Sequence, residues 1–253
     1  MSVMPTAAEK RAAFRRLHDD GFFVLPNPWD VGSALHLQRL GFKALASTSS
    51  GFAMTLGKGD YGVTRDQLLD HLRDVSAAID LPFNADFEGG YAVEPEGVAA
   101  NVRLAIETGV AGLSIEDRVL EGEAGLLDLD LAVARIKAAR AEIDRDQSGV
   151  VLVGRCEGYL VGQADLGKTI ARLEAYAEAG ADCLYPPGPR DKDEIAAIVK
   201  ALAPRPVNIL LRPQAPSLAE LRDLGVRRVS TGGALAFVAQ RAFDAAAKDL
   251  VLD

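Results

Sequence analysis

Residues 105–118 read AIETGVAGLSIEDR. The first half carries apolar residues at helical spacing and runs into Gly109, the residue type that most readily takes the left-handed turn closing a helix. A short apolar run follows and stops in two acids and an arginine. The same grammar recurs in LQRLGFKALASTSS (37–50), AYAEAGADCLYPPG (175–188) and ELRDLGVRRVSTGG (220–233), around Gly41, Gly180 and Gly225. Each is the αβ half of a βαβ unit. The intervening strands are GFFVLPNP (21–28), LPFNADF (81–87), VVLVGRC (150–156) and PVNILLRP (206–213).

Together these predict eight strands, near 22–26, 43–48, 82–87, 111–116, 150–156, 182–186, 206–211 and 227–231. Helices fill the gaps, for example over 64–79, 96–109 and 129–143. Eight alternating units in 253 residues is the arithmetic of an α/β (β/α)8 TIM barrel. An open doubly wound sheet is disfavoured because no GxGxxG follows any strand. No linker-like shift in composition divides the chain, so a single domain is expected over residues 1–253.

Hydrophobic residues make up 49% of the chain, enough for one sizeable core, while aromatics are only 6%. The formal net charge of -8 gives no general reason to bind nucleic acid or an anionic membrane. An acidic protein that handles an acidic substrate needs local compensation, by a metal or by arginine. The two cysteines, Cys156 and Cys183, form no CxxC motif. With no apolar leader in the first 20 residues and no uncharged apolar stretch of membrane length, a cytoplasmic, soluble protein is expected.

In a barrel the active site lies at the C-terminal mouth, so polar residues ending the strands belong together. They are Asn27 and Asp30; Thr48, Ser49 and Ser50; Asn84, Asp86 and Glu88; Glu116 and Asp117; Arg155 and Glu157; Tyr185; Asn208 and Arg212; Ser230 and Thr231. Strand alternation puts Asn84, Asp86 and Glu88 on one face. With Asp60 and Glu116, several carboxylates crowd one mouth, which is costly in a low dielectric. Either a hard divalent cation such as Mg²⁺ or Mn²⁺ offsets them, or they pair with Arg118, Arg155 or Arg212.

Histidine occurs only at positions 18, 36 and 71, all in predicted helices, and no lysine ends a strand. A Ser-His-Asp triad, a histidine zinc site and a Schiff-base lysine are therefore disfavoured. STSSG (47–51) reads either as a cradle for a carboxylate or as an ordinary polar turn. What remains is metal, arginine and hydroxyl donors, the outfit for cleaving a bond next to a 2-oxo acid through an enolate.

The combination resembles the isocitrate lyase/phosphoenolpyruvate mutase superfamily. The resembling stretches are NPWDVGSALHLQRLGFKALASTSSGFA, GKGDYG, LPFNADFEGGYA, GVAGLSIEDR, GRCEGYL, EAGADCLYPPG and PVNILL, in that order from residue 26 to about 233. The resemblance implies a barrel, a homotetramer with an exchanged C-terminal helix, Mg²⁺ (or Mn²⁺) and a small 2-oxo acid. It places the direct metal ligand on Asp86, and water-mediated metal carboxylates on Asp60 and Glu116. Glu88 is an extra acid, and Asn84 stands where the family has the first aspartate of a DxD pair. The resemblance also puts carboxylate binding on Thr48, Ser49 and Ser50 and the strand-five arginine on Arg155.

Trp29, Asp86 and Asn208 join the expected substrate-binding set, and Arg155, Glu116 and Tyr185 form the expected catalytic set. The KKCGH-type lid of the isocitrate lyases is missing, since IEDRVLEGEAGLLDLD (115–130) is shorter and has no cysteine. The mutases' lysine- and asparagine-bearing lid is missing too. The expectation is a Mg²⁺-dependent carbon–carbon lyase, decarboxylase or hydrolase acting on an oxaloacetate-like dicarboxylate. A phosphonopyruvate-type mutase and a non-catalytic 2-oxo acid binder are the alternatives.

Overall fold

The computed structural model describes residues 4–119 and 124–251. Its strands are β1 (Phe23–Leu25), β2 (Leu45–Ala46), β3 (Phe83–Asp86), β4 (Gly112–Glu116), β5 (Val151–Arg155), β6 (Cys183–Tyr185), β7 (Asn208–Leu210) and β8 (Arg228–Ser230). The helices among the described residues are α1 (Ala7–Asp19), α2 (Val31–Arg39), α3 (Ser49–Thr55), α4 (Arg65–Ala78), α5 (Pro95–Glu107), α6 (Leu129–Asp146), α7 (Leu166–Glu178), α8 (Lys192–Leu202), α9 (Leu218–Asp223) and α10 (Ala234–Lys248). Every strand falls inside its predicted window.

Strands β2 to β6 pair in order, as do β7, β8 and β1, all in parallel. Two hydrogen bonds close the ring: Leu184 N–H to Pro206 O at 2.9 Å and Ala46 N–H to Pro26 O at 3.1 Å. The architecture is therefore a TIM-like barrel. The four glycines that announce each helix end have φ between +87° and +105°, a conformation in which a side chain would be strained.

Alternation along the strands sorts two cores. Leu45, Phe83, Ala85, Leu113, Ile115, Leu152 and Leu184 pack outward with the helices. Leu25, Ala46, Val151, Val153 and Tyr185 form an inner cluster with Phe14 of α1, which is fully buried. Gly112 makes room for this plug. A Cβ there would sit 2.6 Å from both Phe14 Cε1 and Asn84 Oδ1.

Helix α1 starts in a capping box, Thr6 with Glu9. It is tied to the barrel by Lys10 to Ser76 O, Arg11 to Ile106 O and Arg15 to Gly149 O. The plug leaves the opposite, C-terminal end as the open mouth.

Candidate active site

Arg155 ends β5 and organises the mouth. Its Nη1 lies 3.0 Å from Asp86 Oδ1 and 2.9 Å from Glu116 Oε1, and its Nε lies 2.6 Å from Glu157 Oε1. Its guanidinium stands 5.1 Å from the centre of the Tyr185 ring. Burial alone would lower its pKa, but Glu116, Glu157 and Asp86 outweigh that and hold it well above the ordinary value. One fixed cation thus faces three carboxylates.

Asp86 is held from both sides. Its Oδ2 accepts from Ser49 N–H and Ser49 Oγ, both at 2.9 Å, and its own N–H donates to Ser47 Oγ at 2.7 Å. Ser49 Oγ also lies 3.4 Å from Asp60 Oδ1, so the STSSG turn links the two acids. Burial, then the Asp86 charge, raises Asp60. Glu88 is buried too. Desolvation first, then Asp86 and Asp60, push it up to about 8. Its Oε1 and the neighbouring Tyr91 hydroxyl are both buried and face each other without a well-aligned hydrogen bond. Glu116 is raised chiefly by burial, against the pull of Arg155.

The structure distributes the remaining predicted residues less uniformly. Asp60, Asp86, Glu88 and Glu116 share the mouth, yet among the described residues no three acids close into a ready metal cage. Arg155 stands between two of them. The Ser49 amide is turned on Asp86 rather than left free, and Thr48 Oγ1 accepts from Gly51 N–H as the cap of α3 and lies 3.2 Å from Ser50 Oγ.

Asn84 does not reach Asp86. Its Nδ2 donates to the backbone oxygen of Ala85 at 3.0 Å, and its Oδ1 is buried without a partner. Asn208 opens β7 instead of ending it. It binds Arg228 Nε at 2.9 Å and Ser230 Oγ at 3.0 Å, as part of the barrel filling. Trp29 lines an apolar groove between α2 and α10, with Leu37 and Leu235. Tyr185 accepts from Ser230 Oγ at 3.3 Å. Cys156 faces the outer core, and burial raises its thiol, which disfavours the thiolate.

Two further residues complete the site: Glu157, which the sequence placed at the mouth without a role, and Tyr61, which it did not place. Glu157 is fully buried with one oxygen on Arg155 and the other without a partner, and its two-residue spacing from Arg155 was the available signal. Tyr61 gave none, because a loop brings it in. Its hydroxyl donates to Glu116 Oε2 at 2.8 Å, while Arg118 stacks 4.5 Å from its ring centre. Tyr61 holds φ of +60°. That conformation costs a bulky residue roughly 1–3 kcal/mol, no less than the ~0.5–1 kcal/mol an exposed cation–π contact returns.

Asp117 points the other way from Glu116. It anchors the base of the following hairpin, taking Tyr176 Oη at 2.6 Å, Glu157 N–H at 2.8 Å and Arg172 Nη1 at 3.1 Å. Backbone bonds from Leu127 N–H to Asp117 O and from Val119 N–H to Gly125 O close that hairpin. Of the shortened lid, residues 120–123 lie outside the described residues.

The phosphoenolpyruvate phosphomutase family model matches residues 14–251. The chain belongs to the isocitrate lyase/phosphoenolpyruvate mutase superfamily. A solved chain from Burkholderia cenocepacia J2315, assigned as a lyase/mutase, is 46% identical with a TM-score of 0.93, over 96% of this chain and 89% of that one. An uncharacterized protein of Mycobacterium tuberculosis is 38% identical over 87% of this chain and 81% of its own length. An oxaloacetate decarboxylase of Pseudomonas aeruginosa (strain LESB58) is 32% identical over 92% of this chain and 83% of its own.

The characterised relatives of this superfamily include lyases, decarboxylases and mutases. No helix among the described residues is long and apolar enough to cross a membrane.

Proposed function

We propose that the protein is a divalent-metal-dependent lyase or hydrolase that breaks a carbon–carbon bond of a small, oxaloacetate-like dicarboxylate by way of a pyruvate-type enolate. The charge imbalance at the mouth carries this reading. Arg155 balances at most part of Asp86, Glu116 and Glu157, while Asp60 and Glu88 have no cation of their own among the described residues. The buried Glu88 oxygen, with no well-aligned hydrogen bond, and the all-oxygen donor set fit Mg²⁺ or Mn²⁺. Asp86 would hold the ion, with Asp60, Glu88 and Glu116 arranged around its waters.

When bound, the ion supplies the electron sink for the developing enolate. The chain's own residues do the rest. Ser49 and Ser47 fix Asp86, Tyr61 pins Glu116, and Arg155 presents its positive charge to the keto side of the substrate, with the Tyr185 ring beneath it. The P. aeruginosa relative's name supports oxaloacetate as the first substrate to try. The test is incubation with Mg²⁺ and oxaloacetate, isocitrate, 2-methylisocitrate or phosphonopyruvate, followed by NMR. Turnover of oxaloacetate is expected. Turnover of phosphonopyruvate alone would replace this reading with the mutase one.

We also propose a cytoplasmic homo-oligomer, a tetramer or dimer. Support comes from Phe237, Val238 and Phe243, which α10 leaves exposed, and from two buried cysteines that form no disulfide. Light scattering at micromolar protein should show more than one subunit; a monomer would refute it.

A further inference from the structure

We propose that Arg118, stacked on Tyr61 at the rim, receives the distal carboxylate of the substrate and so selects dicarboxylic over monocarboxylic 2-oxo acids. This rests on the reading above and deepens it. A dicarboxylate brings a second negative charge into a mouth already rich in acids, and Arg155 is occupied by three of them. A second cation is needed. Arg118 leaves the end of β4 two residues beyond Glu116, is half-buried, and has no carboxylate within salt-bridge distance among the described residues. Its contact is with the Tyr61 ring.

The placement is built rather than incidental. The hairpin base at Asp117 and Leu127 fixes the Arg118 backbone, which bridges Leu126. Tyr61 adopts its left-handed backbone to lie under the guanidinium and touch Glu116 with the same ring. The stack thus joins Arg118 to the Arg155 cluster through one aromatic residue and one carboxylate. It holds a planar donor fork at the rim, suited to a carboxylate. Arg212, just past β7, is the other half-buried mouth-side arginine without a carboxylate partner among the described residues, and no comparable chain of contacts ties it to Arg155.

The experiment is calorimetric titration, with Mg²⁺, of wild type, Arg118→Gln, Arg118→Lys and Arg212→Gln. One ligand is oxalate, which mimics the enolate end alone; the other is 3,3-difluorooxaloacetate, which adds the distal carboxylate. Arg118→Gln should weaken the second ligand about 10- to 100-fold and oxalate less than about twofold. Arg118→Lys should recover part of the loss, and Arg212→Gln should match wild type.

Equal weakening of both ligands by Arg118→Gln would make Arg118 a support of the enolate site and overturn the assignment. So would a selective effect at Arg212. If wild type binds no oxalate, the proposed function itself fails and takes this assignment with it.

Discussion

Arg155→Ala is expected to destabilise the fold by about 3–5 kcal/mol at pH 8 and to abolish turnover. Arg155 is the shared partner of Asp86, Glu116 and Glu157, two of which are almost fully buried. Removing it leaves those charges in a low dielectric with nothing opposite, the costly way to break a buried pair. Burial already raises the Glu116 and Glu157 carboxyls against the pull of Arg155, and without it they titrate in the folded state well above their unfolded values, so the folded protein holds extra protons. Stability is retained below the unfolded carboxylate range and lost as pH rises through the higher folded pKa values. The deficit should therefore shrink as pH falls from 8 to 5. Urea unfolding of both proteins across that range measures it. A variant within 1 kcal/mol of wild type at pH 8 would mean that the three acids find their counter-charge elsewhere.

Asp86→Asn should lower Mg²⁺ or Mn²⁺ affinity at least about 100-fold and remove turnover, while the protein stays folded. Asp86 accepts from Ser49 on one oxygen and from Arg155 on the other. An amide can satisfy only one side, because its NH₂ must face either the Arg155 guanidinium or the Ser49 donors, and it carries no charge for the ion. Asn84→Asp is the informative companion. Asn84 is buried with an unpartnered Oδ1, so a carboxylate there adds charge beside Asp86 without displacing a bond to it. Metal binding should be equal or tighter, and the metal-free protein less stable. Manganese titration followed by electron paramagnetic resonance reads both variants. Unchanged affinity in Asp86→Asn would remove it as a ligand, and most of the proposed function with it.

The barrel could be read from the chain because its signals are local and repeated. A glycine closes a helix at 41, 109, 180 and 225, and an apolar run follows each time, because those backbone conformations admit little else. The inward direction of Asp86, Glu116 and Arg155 was equally legible, since side chains alternate along a strand whatever surrounds it. Alternation fails where the strand ends. Glu88 has φ of +46°, so its position depends on the turn and not on counting by two.

The carboxylates' partners were beyond reach of the sequence. Nothing local distinguishes an acid that waits for a cation from one that already has an arginine. Asp86 and Arg155 are 69 residues apart and meet only because β3, β4 and β5 are neighbours in the barrel. Asn208 looked like a strand-end residue but sits one layer deeper, where Arg228 from the adjacent strand claims it. Tyr61 is the plainest case. It lies in no strand, its left-handed backbone has no dependable signature for an aromatic residue, and its partners Glu116 and Arg118 are more than fifty residues away. Periodicity and chirality act between near neighbours, so the sequence alone determined the fold and the inward-facing polar set. Charge pairing acts through space, so only the packed barrel decided which acid meets Arg155, which is left without a cation, and which arginine stays at the rim.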